Sequence, residues 1–256
     1  MSVADGMVLV TGSGSGIGRA IAGQFARDGA AAMVNARTAS DVENAVSEIA
    51  AGGGTAVGLP ADVSDPGQVE AMFCQARRAP GPVPVEILVN NAGIPGPAAV
   101  AQDVAPDEFL TMLKINLWCT FLCSKFALPT MIERGWGRIM TMTGASAARP
   151  YRRSLPYASS KAGIEGLTRN LAEKLARFGI TYNCIAPGRV DTRAFALAVN
   201  PAGTKAAAVS PDLAASLAVW LASDEMSLVN GETIRAPGWK RRTGSRPGPG
   251  RGAGPA

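Results

Sequence analysis

The sequence predicts a doubly wound α/β fold, a parallel sheet of about seven strands with helices on both faces. Three observations lead there. Seven short apolar runs alternate with helical patterns from end to end, and parallel neighbours need such crossovers because a tight hairpin cannot join them. A glycine-rich stretch, Thr11-Gly-Ser-Gly-Ser-Gly-Ile-Gly18, separates the first run from the first helical pattern. At 256 residues, with no internal repeat and no interdomain linker, the chain suits one domain with a sizeable core.

Taken in order, the runs at 7–11, 31–35, 55–59, 86–90, 137–143, 180–186 and 232–236 read as strands. The patterns near 17–28, 40–51, 66–78, 107–133, 157–178 and 211–222 read as helices. The first strand runs directly into Gly12, Gly16 and Gly18, and a helix follows. The second ends in Val34-Asn35-Ala36-Arg37-Thr38, after which Asp41 is placed to start a helix by capping. Asp65-Pro66 starts the next one, with a cap and a proline in the first turn. The fourth strand leads into Asn90-Asn-Ala-Gly93, and the apolar pattern near 107–133 carries Asn116. The fifth strand ends in Thr143-Gly-Ala-Ser146, and Tyr157-Ala-Ser-Ser-Lys161 opens the helix after it. The sixth passes into Pro187-Gly188, and the seventh into Ala236-Pro237-Gly238-Trp239.

Hydrophobic residues make up 47% and charged residues 18%, ordinary values for a globular chain. The formal charge of +5 is concentrated in one place. Residues 240–256 hold Lys240, Arg241, Arg242, Arg246 and Arg251 without an acid, and the remainder balances at 20 basic against 20 acidic side chains. The charge is a tail effect and does not argue for nucleic acid. The tail also contains five glycines and three prolines, which predicts a disordered segment 240–256 behind a single domain at 1–239. Cys74, Cys119, Cys123 and Cys184 lack metal-ligand spacing, and there is no histidine. They read as reduced core residues, and no metal site is expected. No signal sequence and no apolar run of membrane-spanning length is expected either, so the protein is predicted to be cytoplasmic.

Chemistry concentrates at Tyr157 and Lys161. Four residues apart on a helix, they share one face. An ammonium beside a phenol favours the phenolate, drawing a group with an ordinary pKa of about 10 toward neutrality. The glycine loop supplies a second function. Glycines let the backbone turn tightly and approach a pyrophosphate, which the following helix N-terminus stabilises through free N–H groups and its dipole. The loop sits between first strand and first helix, as a dinucleotide site requires.

In these motifs the chain resembles the classical short-chain dehydrogenases/reductases, over about residues 8–238. The resemblance rests on Thr-Gly-x-x-x-Gly-x-Gly at 11–18, Asp62-Val63, Asn-Asn-Ala-Gly at 90–93, Asn116, Tyr-x-x-x-Lys at 157–161, and Pro187-Gly188 with Thr192. It implies a Rossmann-type fold and a hydride transfer between NADP(H) and a small carbonyl or secondary alcohol. Gly12, Ser13, Ser15, Gly16, Ile17 and Gly18 would hold the pyrophosphate, and Asp62 and Val63 the adenine. Asn90, Ala92 and Gly93 would lie beside the cofactor. Lys161 would bind the nicotinamide ribose and lower the pKa of Tyr157, which donates a proton to the carbonyl oxygen. Asn116 would kink its helix and place a water for the proton relay. Pro187, Gly188, Val190 and Thr192 would cover the nicotinamide. A homo-oligomer, dimer or tetramer, is implied too.

Cofactor choice turns on Arg37 and Thr38. Relatives that use NAD usually place an aspartate at this strand end, where this chain has Ala36 beside Arg37. A guanidinium pairs well with a 2′-phosphate, so NADP is favoured, with NAD open because Ser15 stands where many NADP-binding relatives carry a basic residue.

The chain departs from the family at Gly144, where a serine usually donates to the substrate oxygen. Ser146, two residues on, shares the strand face and is the candidate replacement, and Thr143 faces away. The alternative is that Ser146 only caps local backbone. Pocket walls are expected from 94–97, 145–151, Arg189 and Phe195. Arg149, Arg152 and Arg153 crowd the loop before Tyr157. Two readings stand: an NADP-dependent reductase or dehydrogenase, and a non-catalytic dinucleotide sensor of the same fold, for which Gly144 is the support.

Overall fold

The computed structural model describes residues 6–78, 85–96, 99–144, 147, 155–190 and 209–239. Seven strands form one parallel sheet: β1 (Met7–Val10), β2 (Ala31–Val34), β3 (Thr55–Gly58), β4 (Ile87–Asn90), β5 (Gly137–Met142), β6 (Ile180–Ala186) and β7 (Thr233–Arg235). Their order is β3-β2-β1-β4-β5-β6-β7, every pairing parallel. Every residue of β1, β4, β5 and β6 is buried, as befits strands covered on both faces.

Helices α1 (Gly16–Arg27), α2 (Ala39–Ala51) and α7 (Pro211–Ala222) cover one face. Their Ile21, Phe25, Val42, Ile49, Leu217 and Leu221 pack with Val8, Val10 and Met140 of the sheet. On the other face lie α3 (Pro66–Ala76), α5 (Cys119–Arg134) and α6 (Leu155–Leu175), whose Val69, Phe73, Leu122, Met131 and Leu175 meet Leu9, Leu88 and Ile139. Alternate residues of β1 thus serve opposite cores, the period-two consequence of a strand. Cys119, Cys123 and Cys184 are buried as free thiols, while Cys74 is half-buried.

Two boundaries differ from the sequence expectation. Thr38, not Asp41, occupies the N-cap of α2, leaving Asp41 in the first turn, where its charge complements the helix dipole. Asp65 does cap α3, accepting from Gln68 N at 3.0 Å, and that bond holds its carboxyl below the usual range. The pattern near 107–133 is not one regular helix. It divides into α4 (Pro106–Leu113), a π-helical turn (Lys114–Trp118) and α5. As a whole, Pro106–Arg134 is long and apolar enough to pass for a membrane span by composition, contrary to expectation. Its Met112, Leu122, Cys123, Ala127 and Met131 are instead buried in the fold.

After β3 the chain returns to the opposite side of β1 to form β4. Crossovers therefore diverge at the carboxyl ends of β1 and β4, the crevice where doubly wound sheets take ligands.

Candidate active site

At this crevice three side chains from strand ends fix the glycine loop. Thr11 Oγ1 accepts from Asn91 N and Ala92 N at 3.0 and 3.1 Å. Asn91 Nδ2 donates back to Thr11 O and Gly12 O at 2.9 and 3.0 Å. Asn35, at the end of β2, donates to Leu59 O and Ala61 O at 2.9 and 3.2 Å while its Oδ1 accepts from Gly12 N at 3.4 Å. Ser13 turns inward: its hydroxyl donates to Val10 O at 2.7 Å and accepts from Asn35 N at 3.0 Å. Neither Asn35 nor Asn91 has a role assigned by the sequence motifs, although Asn91 belongs to one of them. The available signal was a buried amide closing an otherwise apolar strand.

The loop leaves backbone, not side chains, facing the crevice. Gly12 has φ +62°, and a Cβ there would stand 2.8 Å from Ala92 Cα. A Cβ on Gly18 would stand 2.5 Å from Gly12 O. Ser15 and Gly16 are exposed, and no side chain caps the N-terminus of α1. Ile17 is half-buried against the core. Exposed helix N–H groups beside a glycine cradle fit a pyrophosphate. At the far side, Arg37 and Thr38 are exposed. Asp62 Oδ1 accepts from Ser64 N at 2.9 Å, its own N–H donates to Gln68 Oε1 at 2.9 Å, and Val63 is buried. A Cβ on Gly14 would meet Asp41 Cβ at 2.9 Å and Ala36 Cβ at 3.0 Å, so α2 packs tightly on the loop.

Across the crevice, α6 carries Tyr157, half-buried, and Lys161, buried. Lys161 Nζ lies 5.5 Å from the centroid of the Tyr157 ring and donates to Met142 O at 2.8 Å. Burial pushes its ammonium down to about 8, against the opposing pull of the Cys119 and Cys184 thiols. Asn116 lies in the π turn. Its Oδ1 accepts from Ile94 N at 2.8 Å, and its Nδ2 donates to Ile94 O at 3.0 Å and Ser160 Oγ at 3.1 Å. Gly93 fits between them: a Cβ would stand 3.0 Å from Asn116 Oδ1 and 3.9 Å from Lys161 Nζ. Beneath, Asn90 Nδ2 donates to Ser124 Oγ and Thr141 Oγ1 at 3.2 and 3.4 Å. Tyr182 closes this polar strip, 3.0 Å from Ser124 Oγ, its phenol pushed up to about 12 by burial.

Thr143 donates to Glu165 Oε1 at 3.3 Å, and Gly144 O accepts from Ala147 N at 3.0 Å. Pro187 and Gly188 follow β6, and Val190 is buried and bridges Val209. Ser146, Thr192, Phe195, Arg149, Arg152, Arg153 and the tail 240–256 lie outside the described residues. The structure thus brings Gly93, Asn116, Tyr157 and Lys161 together opposite the glycine cradle. A groove of about 710 Å³ lies elsewhere. It runs along the outer face of the π turn, α5 and α6, between Leu117, Trp118, Phe121, Gly163 and Gly166.

The sequence profile of the short chain dehydrogenases matches residues 6–201. A (2S)-((R)-hydroxy(phenyl)methyl)succinyl-CoA dehydrogenase subunit of Thauera aromatica is 34% identical over 91% of this chain and 96% of its own. Among solved structures, an actinorhodin polyketide ketoreductase with NADPH superposes with a TM-score of 0.84 at 29% identity, covering 91% of this chain and 96% of that one. A 7α-hydroxysteroid dehydrogenase complexed with NADH and 7-oxo glycochenodeoxycholic acid gives 0.84 at 31%, covering 91% and 94%.

Proposed function

Given that the chain belongs to the short-chain dehydrogenase family and is an oxidoreductase of it, we propose that it transfers a hydride between NADP(H) and a carbonyl or secondary alcohol. One observation carries the reading: Tyr157 and a buried Lys161 share a face of α6, 5.5 Å from ring centroid to Nζ, across from an open glycine cradle. In reduction, the bound dinucleotide supplies the hydride. Tyr157 Oη gives its proton to the carbonyl oxygen, and the ammonium of Lys161 stabilises the phenolate left behind. Asn116 completes the group by fixing Ile94 and the kink between α4 and α5, and places a water for the proton path. Glycine-loop N–H groups hold the pyrophosphate, Asp62 and Val63 the adenine, and residues 187–192 the nicotinamide side.

Arg37 supports NADP over NAD: exposed beside Ala36, it offers a fork of donors to a 2′-phosphate. The two structural neighbours carry one cofactor each, NADPH and NADH, so fold alone favours neither. Cytoplasmic location and a homo-oligomer belong to the same proposal. The oligomer is supported by Trp118 and Phe121, 41% and 38% exposed, beside Gly166, which has open space over it. The competing reading, a cofactor sensor without turnover, draws on Gly144 where a substrate-oxygen donor is expected. NADPH consumption over a panel of ketones, aldehydes and sugars, wild type against Tyr157→Phe, separates them. Turnover in wild type lost in Tyr157→Phe supports the reductase; cofactor binding without turnover leaves the sensor.

A further inference from the structure

Ser160 takes no part in the chemistry just described, yet it is fully buried between the two residues that do. Its hydroxyl donates to Tyr157 O at 2.7 Å and accepts from Asn116 Nδ2 at 3.1 Å. A serine bonding back to the carbonyl three residues earlier is a common helical habit. The second bond is what distinguishes this one. It ties the turn carrying Tyr157 to an amide on another element.

That amide has little freedom. Asn116 already grips both backbone groups of Ile94, accepting from its N–H at 2.8 Å and donating to its carbonyl at 3.0 Å. Ile94, Asn116, Ser160 and Tyr157 O therefore form one continuous chain of hydrogen bonds. It links the loop after β4, the π turn and the first turn of the catalytic helix, three segments distant in sequence. The first turn of α6 begins only at Leu155. A helix end has few intrahelical bonds of its own, so an external tie at this point bears directly on where the phenol stands.

We infer that Ser160 is a positioning residue for the reaction, its hydroxyl setting the place of Tyr157 relative to the loop carrying Gly93 and Ile94. The inference rests on the reductase reading. A displacement of about 1 Å in a reacting group can cost about 10²-fold in rate. Ser160 does not touch the glycine cradle proposed to hold the pyrophosphate. The effect should therefore fall on kcat.

The test compares wild type, Ser160→Ala, Ser160→Thr, Asn116→Ala and Asn116→Ala/Ser160→Ala on any carbonyl the wild type reduces. Amide hydrogen exchange at Ile94 is followed in the cofactor-free proteins. Ser160→Ala should lower kcat about 10- to 10²-fold, leave the NADPH KM within about twofold and speed exchange at Ile94. Ser160→Thr, which keeps the hydroxyl, should restore most of kcat. The double variant should lose no more than Asn116→Ala alone, because both break the same chain. Unchanged kcat in Ser160→Ala would overturn the inference. So would equal losses in kcat and KM that threonine does not restore, the signature of a packing defect. If wild type reduces nothing, the reductase reading fails instead, and unaltered exchange at Ile94 in Ser160→Ala would dispose of the tie as well.

Discussion

Replacing Lys161 with methionine, a near-isosteric apolar side chain, should change how the stability of the cofactor-free protein depends on pH. The ammonium is buried, and its pKa falls from 10.5 to about 8 because burial disfavours the charged form. Below pH 8 the fold must keep a dry ammonium charged, which costs about 3 kcal/mol relative to the unfolded chain. Between about pH 8 and 10.5 the unfolded chain binds more of this proton than the fold does, so wild-type stability rises with pH across that window. Buried Cys119, Cys184 and Tyr182 act oppositely. Their raised pKa values, about 11, 11 and 12, lower stability as pH climbs above 9; Tyr182 is common to both proteins, while Cys119 and Cys184 lose the charge of Lys161 in the variant, which adds to its loss at high pH. Methionine also abandons the bond to Met142 O, a loss of about 1–2 kcal/mol at every pH. Lys161→Met should thus be more stable than wild type by about 1–2 kcal/mol at pH 7 and less stable by a similar amount near pH 10.5. Urea unfolding followed by tryptophan fluorescence at half-unit pH steps measures the difference. A difference that stays flat from pH 7 to 10.5 would show that Lys161 is not held in a low-dielectric site, and the argument would fail.

The remaining predictions concern turnover and cofactor. Tyr157→Phe should abolish reduction while NADPH affinity, read by fluorescence titration, stays within about twofold, since the hydroxyl supplies a proton and little binding area. Arg37→Ala should weaken NADPH by about 10- to 10²-fold and leave NADH nearly unchanged, because only the former offers a 2′-phosphate to a charge-assisted bond. Equal losses for both cofactors would exclude that contact. Gly144→Ser should raise kcat by about 10²-fold if the oxyanion lacks a donor. If Ser146 already donates, Ser146→Ala should lower kcat by a comparable factor and Gly144→Ser should rescue the double variant.

Much of the fold was legible because its signals are local. All seven strands and their parallel arrangement follow from apolar runs bounded by turns, and Asp65 announced its helix by a cap. What escaped was non-local. The resemblance implies a kink at Asn116, but the π turn there changes the helical register by a single residue, which no periodicity over a 27-residue pattern resolves. Thr38 displaced Asp41 as a cap because its carbonyl already accepts from Val42 N at 3.2 Å, so the helix begins a turn earlier. In the site, motif positions found Tyr157, Lys161, Asn116 and Gly93, which the structure gathers. The motif placed Ser13 in the cofactor cradle, and its hydroxyl instead faces the sheet. Asn35, Asn91 and Ser160 stand inside quoted stretches without an assigned role, because their importance lies in whom they meet, 24, 80 and 44 residues away.

The crowding at Gly14 has a historical consequence. A Cβ at 14 would lie 2.9 Å from that of Asp41 and 3.0 Å from that of Ala36, so a side chain at 14 would press on the start of α2 and on the strand end together. Position 36 is where an acidic residue favours NAD over NADP. A lineage that acquired a serine or alanine at 14 would have to shift the start of α2, carrying Asp41 with it, and homologues with a side chain at 14 should show that displacement whatever stands at 36.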